Sequence, residues 1–262
     1  MLSPTQLAAR EGRLTASRVA CLMTGDESAV LNLWREMVGD PDYVPEDLSA
    51  VWAVQLGSTT EGLNLEWYER KYGTISRRGE VVIGQHEWMA ATLDGWDVVN
   101  NCPIECKHVG GFEKFEVIVS RYQPQMQWQM LVTGARECAL SVIMGASEPT
   151  IERVPFDAGY AAELMRRAAA FMQCVRELTP PVQTFSAPVA APVKPVMIYD
   201  MSGNNVWGSE AAVWLEHRVS AKKATSAEKE LKGLVPADAA RCHGHGIEIK
   251  RDRAGRLSLR EG

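Results

Sequence analysis

A strand-like run that is apolar yet carries two charges constrains this chain most. In Ile104-Glu105-Cys106-Lys107, residues two apart on a strand point to the same side, so Glu105 and Lys107 share a face that Cys106 does not. Ile104, Cys106 and Val109 mark the strand as buried, where unpaired charges are costly. Eleven positions before Glu105 lies Asp94, in the turn-like run Ala91-Thr92-Leu93-Asp94-Gly95. Two carboxylates converging on one point can hold Mg²⁺, with Mn²⁺ as a substitute, because a hard cation takes oxygen ligands and keeps several waters. Taken alone, Asp94-Gly95 is also a common hairpin turn, and Glu105 with Lys107 also reads as an exposed strand pair.

Composition agrees with this chemistry without selecting it. A chain of 262 residues, 46% of them hydrophobic, buries one large core or a core plus an appendage. Met1 to Arg13 is too polar for a signal peptide, and no apolar run nears the roughly 18 residues of a membrane span, so a cytoplasmic, membrane-free protein is expected. The six cysteines are scattered, with no C-x-x-C pair, and read as reduced thiols. The net charge of −5 is uneven: from Glu216 onward there are 11 Lys/Arg against 7 Asp/Glu, and before it 17 against 26. An acidic total does not exclude phosphate attraction, which needs local positive charge only.

Helical spacing is expected over Arg18 to Met23, with Ser17 as its cap, and over Ala29 to Val38. A long helix from Val51 to Tyr72 shows apolar Leu56, Leu63, Trp67 and Tyr68 and should close on Gly73 as a left-handed cap; Glu61 lies within it. Strand-like segments at 74–83, 88–92, 96–99 and 103–109 are expected to build one antiparallel-rich sheet. Pro124 should open a helix to Thr133, with Gln125, Trp128 and Gln129 on one side. The glutamines at 123, 125, 127 and 129 are unusually polar for a core helix, so some must meet solvent, substrate or a partner. Strands at 137–145 and 150–155 and a helix from Ala158 to Leu178 finish the core. The fold class is therefore α/β (α+β), a central mixed sheet flanked by helices, over residues 1–178.

Five prolines between Thr179 and Pro195 predict an extended, semi-rigid connector over 179–195. Beyond it, 196–262 should form a basic helix from Ser209 to Val235 and a basic hairpin from Gly246 to Arg260, a surface for DNA or a protein partner or simply a solvated face. Cys242-His243-Gly244-His245 lacks a fourth zinc ligand and reads as a flexible turn. Trp207 and Trp214 stand at helical spacing, which suits packing more than base stacking.

Five fragments then occur in order: Arg13-Leu14-Thr15-Ala16-Ser17, Gly57-Ser58-Thr59-Thr60-Glu61, Leu93-Asp94-Gly95, Ile104-Glu105-Cys106-Lys107 and Tyr122-Gln123-Pro124-Gln125. Over roughly residues 10–178 the chain resembles the phage lambda exonuclease and YqaJ-like viral recombinase family of the PD-(D/E)XK nuclease superfamily. The resemblance implies a restriction-endonuclease-like core. It implies Asp94, Glu105 and the Cys106 carbonyl as metal ligands, Lys107 beside the attacking water or the transition-state charge, and Glu61 acting through a metal-bound water or a second ion. Arg13 and Ser17 would bind a phosphate near the 5′ end, and Tyr122 and Gln125 would line the site; the role of His108 is open. Implied too are linear double-stranded DNA ends as substrate, 5′-to-3′ digestion, a single-strand annealing protein as partner, a homo-oligomeric ring, and a phage or prophage origin. Competing readings are a CRISPR-adaptation or helicase-linked nuclease, which needs a clustered iron–sulfur cysteine set, and a non-catalytic DNA-end-binding module.

Overall fold

The computed structural model describes residues 3–181, 185, 188–192, 200–252 and 254–261. It divides into two compact units, Met1–Lys194 and Pro195–Gly262. In chain order the first unit contains α1 (Pro4–Arg10), β1 (Leu14–Thr15), α2 (Ala16–Val19), α3 (Cys21–Thr24), α4 (Glu27–Val38), α5 (Trp52–Tyr72), β2 (Ile75–Ser76), β3 (Val81–Ile83), β4 (Met89–Thr92), β5 (Gly95–Asp97), β6 (Cys102–Val109), α6 (Phe115–Thr133), β7 (Glu137–Met144), β8 (Thr150–Pro155) and α7 (Ala158–Arg176). The second contains α8 (Asn205–Gly233), β9 (Arg241–Gly244), β10 (Ile247–Arg251) and β11 (Leu257–Glu261).

The first unit is a mixed α/β fold, and its strands do not join one sheet as their spacing predicts. They form a five-stranded sheet in the order β2-β5-β6-β7-β8 and a three-stranded sheet in the order β1-β4-β3. The run 74–83 is split between the two, β2 pairing with β5 and β3 with β4. Nor is the large sheet purely antiparallel, because β6 and β7 run parallel with Glu105 opposite Leu140 and Lys107 opposite Val142. A parallel pair needs a crossover between its strands, and α6 supplies it.

Alternation along β6 then decides what each face meets. Ile104 and Cys106 join Leu65 and Tyr68 of α5 in a small apolar cluster, whereas Glu105 turns to α6. The main core lies on the α6 side and includes Trp128, Met126, Leu140, Val142, Leu164 and Phe171. Trp128 is fully buried and donates its indole N–H to the Ala90 carbonyl at 2.9 Å. Truncating it would cost about 3–5 kcal/mol.

Several local expectations are corrected by packing. Helix α6 begins at Phe115 and runs through Pro124, which lies inside it; one intrahelical hydrogen bond is lost there, and burial of Pro124, Met126 and Trp128 maintains the helix. Along α5 the buried residues are Asn64, Leu65 and Tyr68, whereas Leu63 is 57% exposed. Asn64 is buried because its side chain bonds the backbone carbonyl and hydroxyl of Ser141. Gly73 ends α5 with φ 112° and ψ −176°, an extended conformation with positive φ and not a left-handed cap. Thr15, not Ser17, precedes α2; Ser17 lies inside that short helix.

The stretch after α7 is anchored where an extended connector is expected. Phe185 is buried and meets Phe171 edge-on at 6.4 Å, and the Val189 N–H donates to the Met23 carbonyl at 2.9 Å. Positions 182–184, 186–187 and 193–195 of the expected connector lie outside the described residues. In the second unit the expected hairpin is a three-stranded antiparallel sheet, β11-β10-β9. Residues 242–244 of the expected flexible turn are part of β9, paired with β10. Trp207 and Trp214 are 59% and 63% exposed and are not packing residues of this unit.

Candidate active site

Asp94 sits between β4 and β5, strands of different sheets, so it does not close a hairpin. What the position requires is Gly95 after it. A Cβ there would lie 2.8 Å from Ile75 Cγ2 and 3.0 Å from Leu65 Cδ2, so only glycine lets β5 pass beneath α5. The Asp94 carboxylate is thereby aimed at β6, where Oδ2 accepts the Cys106 N–H at 2.8 Å. That bond fixes Asp94 beside Glu105 and Lys107.

Glu105 is 1% exposed, and both of its carboxylate oxygens have partners. Oε1 accepts from Gln125 Nε2 at 2.5 Å and pairs with the Lys107 ammonium; Oε2 accepts from Gln129 Nε2 at 2.6 Å. One turn apart on α6, Gln125 and Gln129 share a face and grip the two oxygens separately. Lys107 also lies 4.8 Å from the centre of the Tyr122 ring, a cation–π contact. Thus the structure brings Asp94, Glu105, Lys107, Tyr122 and Gln125 together.

Electrostatics make the cluster a place short of positive charge. Burial raises the pKa of Asp94 well above the ordinary carboxylate value; Glu105 and Glu61 raise it further, against Lys107 and the Cys106 N–H. Partial desolvation also raises that of Glu61, whose side chain remains open to solvent, with Glu105 adding to it and Lys107 opposing. Burial lowers the pKa of Lys107, but Glu105 and Asp94 outweigh it and the net shift is upward, so the side chain is an ammonium at neutral pH. Burial pushes the Cys106 thiol well above its usual range, with Asp94 and Glu105 reinforcing it; that thiol is inert packing.

A hard divalent cation fits these donors. Among the described residues no group of three or more His, Cys, Asp or Glu is placed to hold a metal ion; two carboxylates and a backbone carbonyl suit an ion that keeps its waters. Asp94, Glu105 and the Cys106 carbonyl are the residues that would hold it, and the pKa of Asp94 is raised by burial first and by the neighbouring Glu105 and Glu61 second.

Three of the expected site residues stand apart. Glu61 is exposed on α5 and senses Glu105 through charge alone, with no hydrogen bond or ion pair to it among the described residues. Arg13 donates to the backbone carbonyls of Glu87 (2.8 Å) and Ala9 (2.9 Å). Ser17 is exposed, with Oγ 3.4 Å from Thr15 Oγ1. Neither touches the carboxylates. Conversely, Gln129 was not among the candidates, although its spacing from Gln125 is the signal that finds it. His108 also gains a place: Nδ1 is 3.1 Å from Thr60 Oγ1, next to Glu61, and Nε2 donates to the Gly145 carbonyl at 3.0 Å. It ties α5 to the end of β7, and nothing in the sequence points to that.

Residues 6–136 match the YqaJ-like viral recombinase domain. No curated protein matches the chain. Among solved structures it is similar to an alkaline exonuclease (LHK-Exo) from Laribacter hongkongensis, with a TM-score of 0.56 and 21% identity over 67% of this chain and 94% of that one. The same enzyme in complex with dAMP gives 0.54, at 21% identity and the same coverage. A phage-related exonuclease from Haemophilus somnus 129PT gives 0.52, at 12% identity over 63% of this chain and 94% of that one. At such identities these structures share the fold. The family match spans half of the chain and contains Asp94, Glu105, Lys107, Tyr122 and Gln125, and on that match the chain belongs to the YqaJ-like viral recombinase domain family and is a nuclease of it.

Proposed function

We propose that the protein is a Mg²⁺-dependent exonuclease that digests one strand of linear duplex DNA from 5′ to 3′ and leaves a 3′ single-stranded tail for an annealing protein. The observation that carries this reading is the meeting of Asp94 and Glu105 beside a charged Lys107. A bound divalent cation would lower the pKa of an attacking water and offset charge on the scissile phosphate. The chain's own groups do the rest. Gln125 and Gln129 hold Glu105 oriented, the Cys106 N–H orients Asp94, and Lys107 presents a fixed positive charge to the oxygens of the phosphate as negative charge builds there. Tyr122 confines the ammonium against its ring.

Glu61 completes the site through a water or a second ion, and Arg13 and Ser17 receive the 5′ phosphate; both assignments follow the family. Arg13 would then exchange its carbonyl partners for phosphate. A ring of subunits around the duplex would make digestion processive, and a phage-borne enzyme would act in the host cytoplasm. Among the described residues no helix is long and apolar enough to cross a membrane.

The test is digestion of blunt duplex DNA labelled at either the 5′ or the 3′ end, with Mg²⁺, with Mn²⁺ and with chelator. Early release of 5′-terminal nucleotide in the presence of metal is expected. Release from the 3′ end, or metal-independent cleavage, refutes the polarity or the cation respectively. Loss of the preference for a 5′-phosphorylated end in Arg13→Ala tests the phosphate assignment.

A further inference from the structure

The small sheet of the second unit is two-faced. Register places Glu248 opposite His243 and Arg260, and Lys250 opposite Arg241 and Ser258, so these side chains share one face. The other face carries Ile247 and Ile249, which line a common hollow with Leu231, Leu234 and Val235 from the end of α8 and the residues after it. Burial of that apolar face fixes the register, because a slip of one residue would exchange the two faces.

On the polar face one carboxylate organises three cations. Glu248 is 3% exposed and pairs with Arg241 and Arg260, and Lys250 Nζ lies 3.6 Å from its Oε2. The cations remain 59% (Arg241), 58% (Arg260) and 44% (Lys250) exposed. Three cations stand around this single buried carboxylate, a surplus of two positive charges before Glu261 at the border is counted and of one after it. Arg241, His243, Glu248 and Arg260 line a shallow depression of about 330 Å³, bordered by Glu261.

We propose that this face of β9, β10 and β11 is a second DNA-contacting surface, formed by residues of the second unit alone, which grips the phosphate backbone of duplex DNA. Charge complementarity selects a polyanion, and the choice of DNA rests on the nuclease reading. Duplex is favoured over single strand because no Phe, Tyr or Trp follows Trp214, so the sheet offers no stacking platform of the kind that single strands need. Rigid antiparallel strands are a known way to present such contacts to a duplex. The family match ends at residue 136, so this surface lies outside the matched domain.

The full-length protein in chelator, where DNA stays intact, is titrated with a short fluorescent duplex at increasing KCl. Arg241→Gln, Lys250→Gln and Arg260→Gln are combined with Glu248→Gln, so that no buried carboxylate is left without a partner. The slope of log affinity against log salt should become shallower by about 2 to 3, and affinity at low salt should fall by on the order of 10-fold or more. Ser258→Lys on the same face should steepen the slope by about one, and this gain reads out even if the quadruple variant does not fold. Unchanged slopes in both variants sink the proposal; so does a loss as large for single-stranded as for duplex DNA, or a changed oligomeric state with binding intact. Because no cleavage is involved, an inactive wild type would refute the catalytic reading and leave this measurement standing.

Discussion

Asp94 and Asp97 lie three residues apart at either side of the same short strand, and the fold treats them in opposite ways. Asp97 is 1% exposed and surrounded by donors: the Tyr68 hydroxyl at 2.7 Å, the Asn100 N–H at 2.9 Å and side chain at 2.7 Å, and Arg153 at 3.0 Å. Burial pushes its pKa up, but those bonds outweigh it and the carboxyl titrates below its ordinary value. Asp94 is buried with one backbone N–H as donor, so burial raises its pKa and the facing Glu105 and Glu61 raise it further. One carboxylate is solved within the chain. The other is held at a cost that a cation would relieve, and that asymmetry separates structural burial of charge from a site built for a ligand.

The largest expected effect breaks the comparison at Asp94. Asp94→Asn should lower cleavage by roughly 10³-fold or more, while raising the unfolding midpoint because repulsion from Glu105 is relieved; turnover on duplex DNA and thermal unfolding check the two halves. A variant that loses stability instead would place Asp94 with Asp97. Next, Asp97→Asn should cost about 3 kcal/mol with turnover per folded molecule preserved. Its pH dependence follows from the depressed pKa: the stabilisation is present above the ordinary value of 3.8 and is lost as pH falls through the lower folded value. Urea midpoints of wild type and Asp97→Asn should therefore converge at the acid end, and a constant gap would deny Asp97 its charge.

Smaller effects sharpen the picture of what supports Glu105. Gln129→Leu should raise the Mg²⁺ concentration needed for half-maximal cleavage by about 10-fold, since partners that orient a metal ligand are worth about that much; an unchanged metal requirement would leave Gln129 a packing residue. Smallest is Thr60→Val, which removes the partner of His108 and should cost about 1 kcal/mol. Equal denaturant midpoints would show that this contact does not hold α5 in place.

Much of the site is legible in the sequence. Parity along a strand put Glu105 and Lys107 on one face, and both meet there. The glutamine run on α6 signalled polar contacts in a core helix, and two of its four members grip Glu105. What was not legible depended on distant partners. Gly95 reads as a turn residue, but it is required by the approach of Leu65 and Ile75. Pro124 reads as a helix start, but core packing carries α6 through it. His108 has meaning only through Thr60 and Gly145.

The sequence by itself determined the local, periodic properties: which segments are helical or extended, which side chains share a strand face, and the ordered motifs that mark the family, because these depend on residue type and spacing alone. Tertiary structure decided how the strands divide between two sheets, where Asp94 points, which carboxylate is paired and which is crowded, and what Arg13 holds. Those outcomes depend on burial and on charges brought close by chain segments far apart in sequence, and neither is defined until the chain has packed.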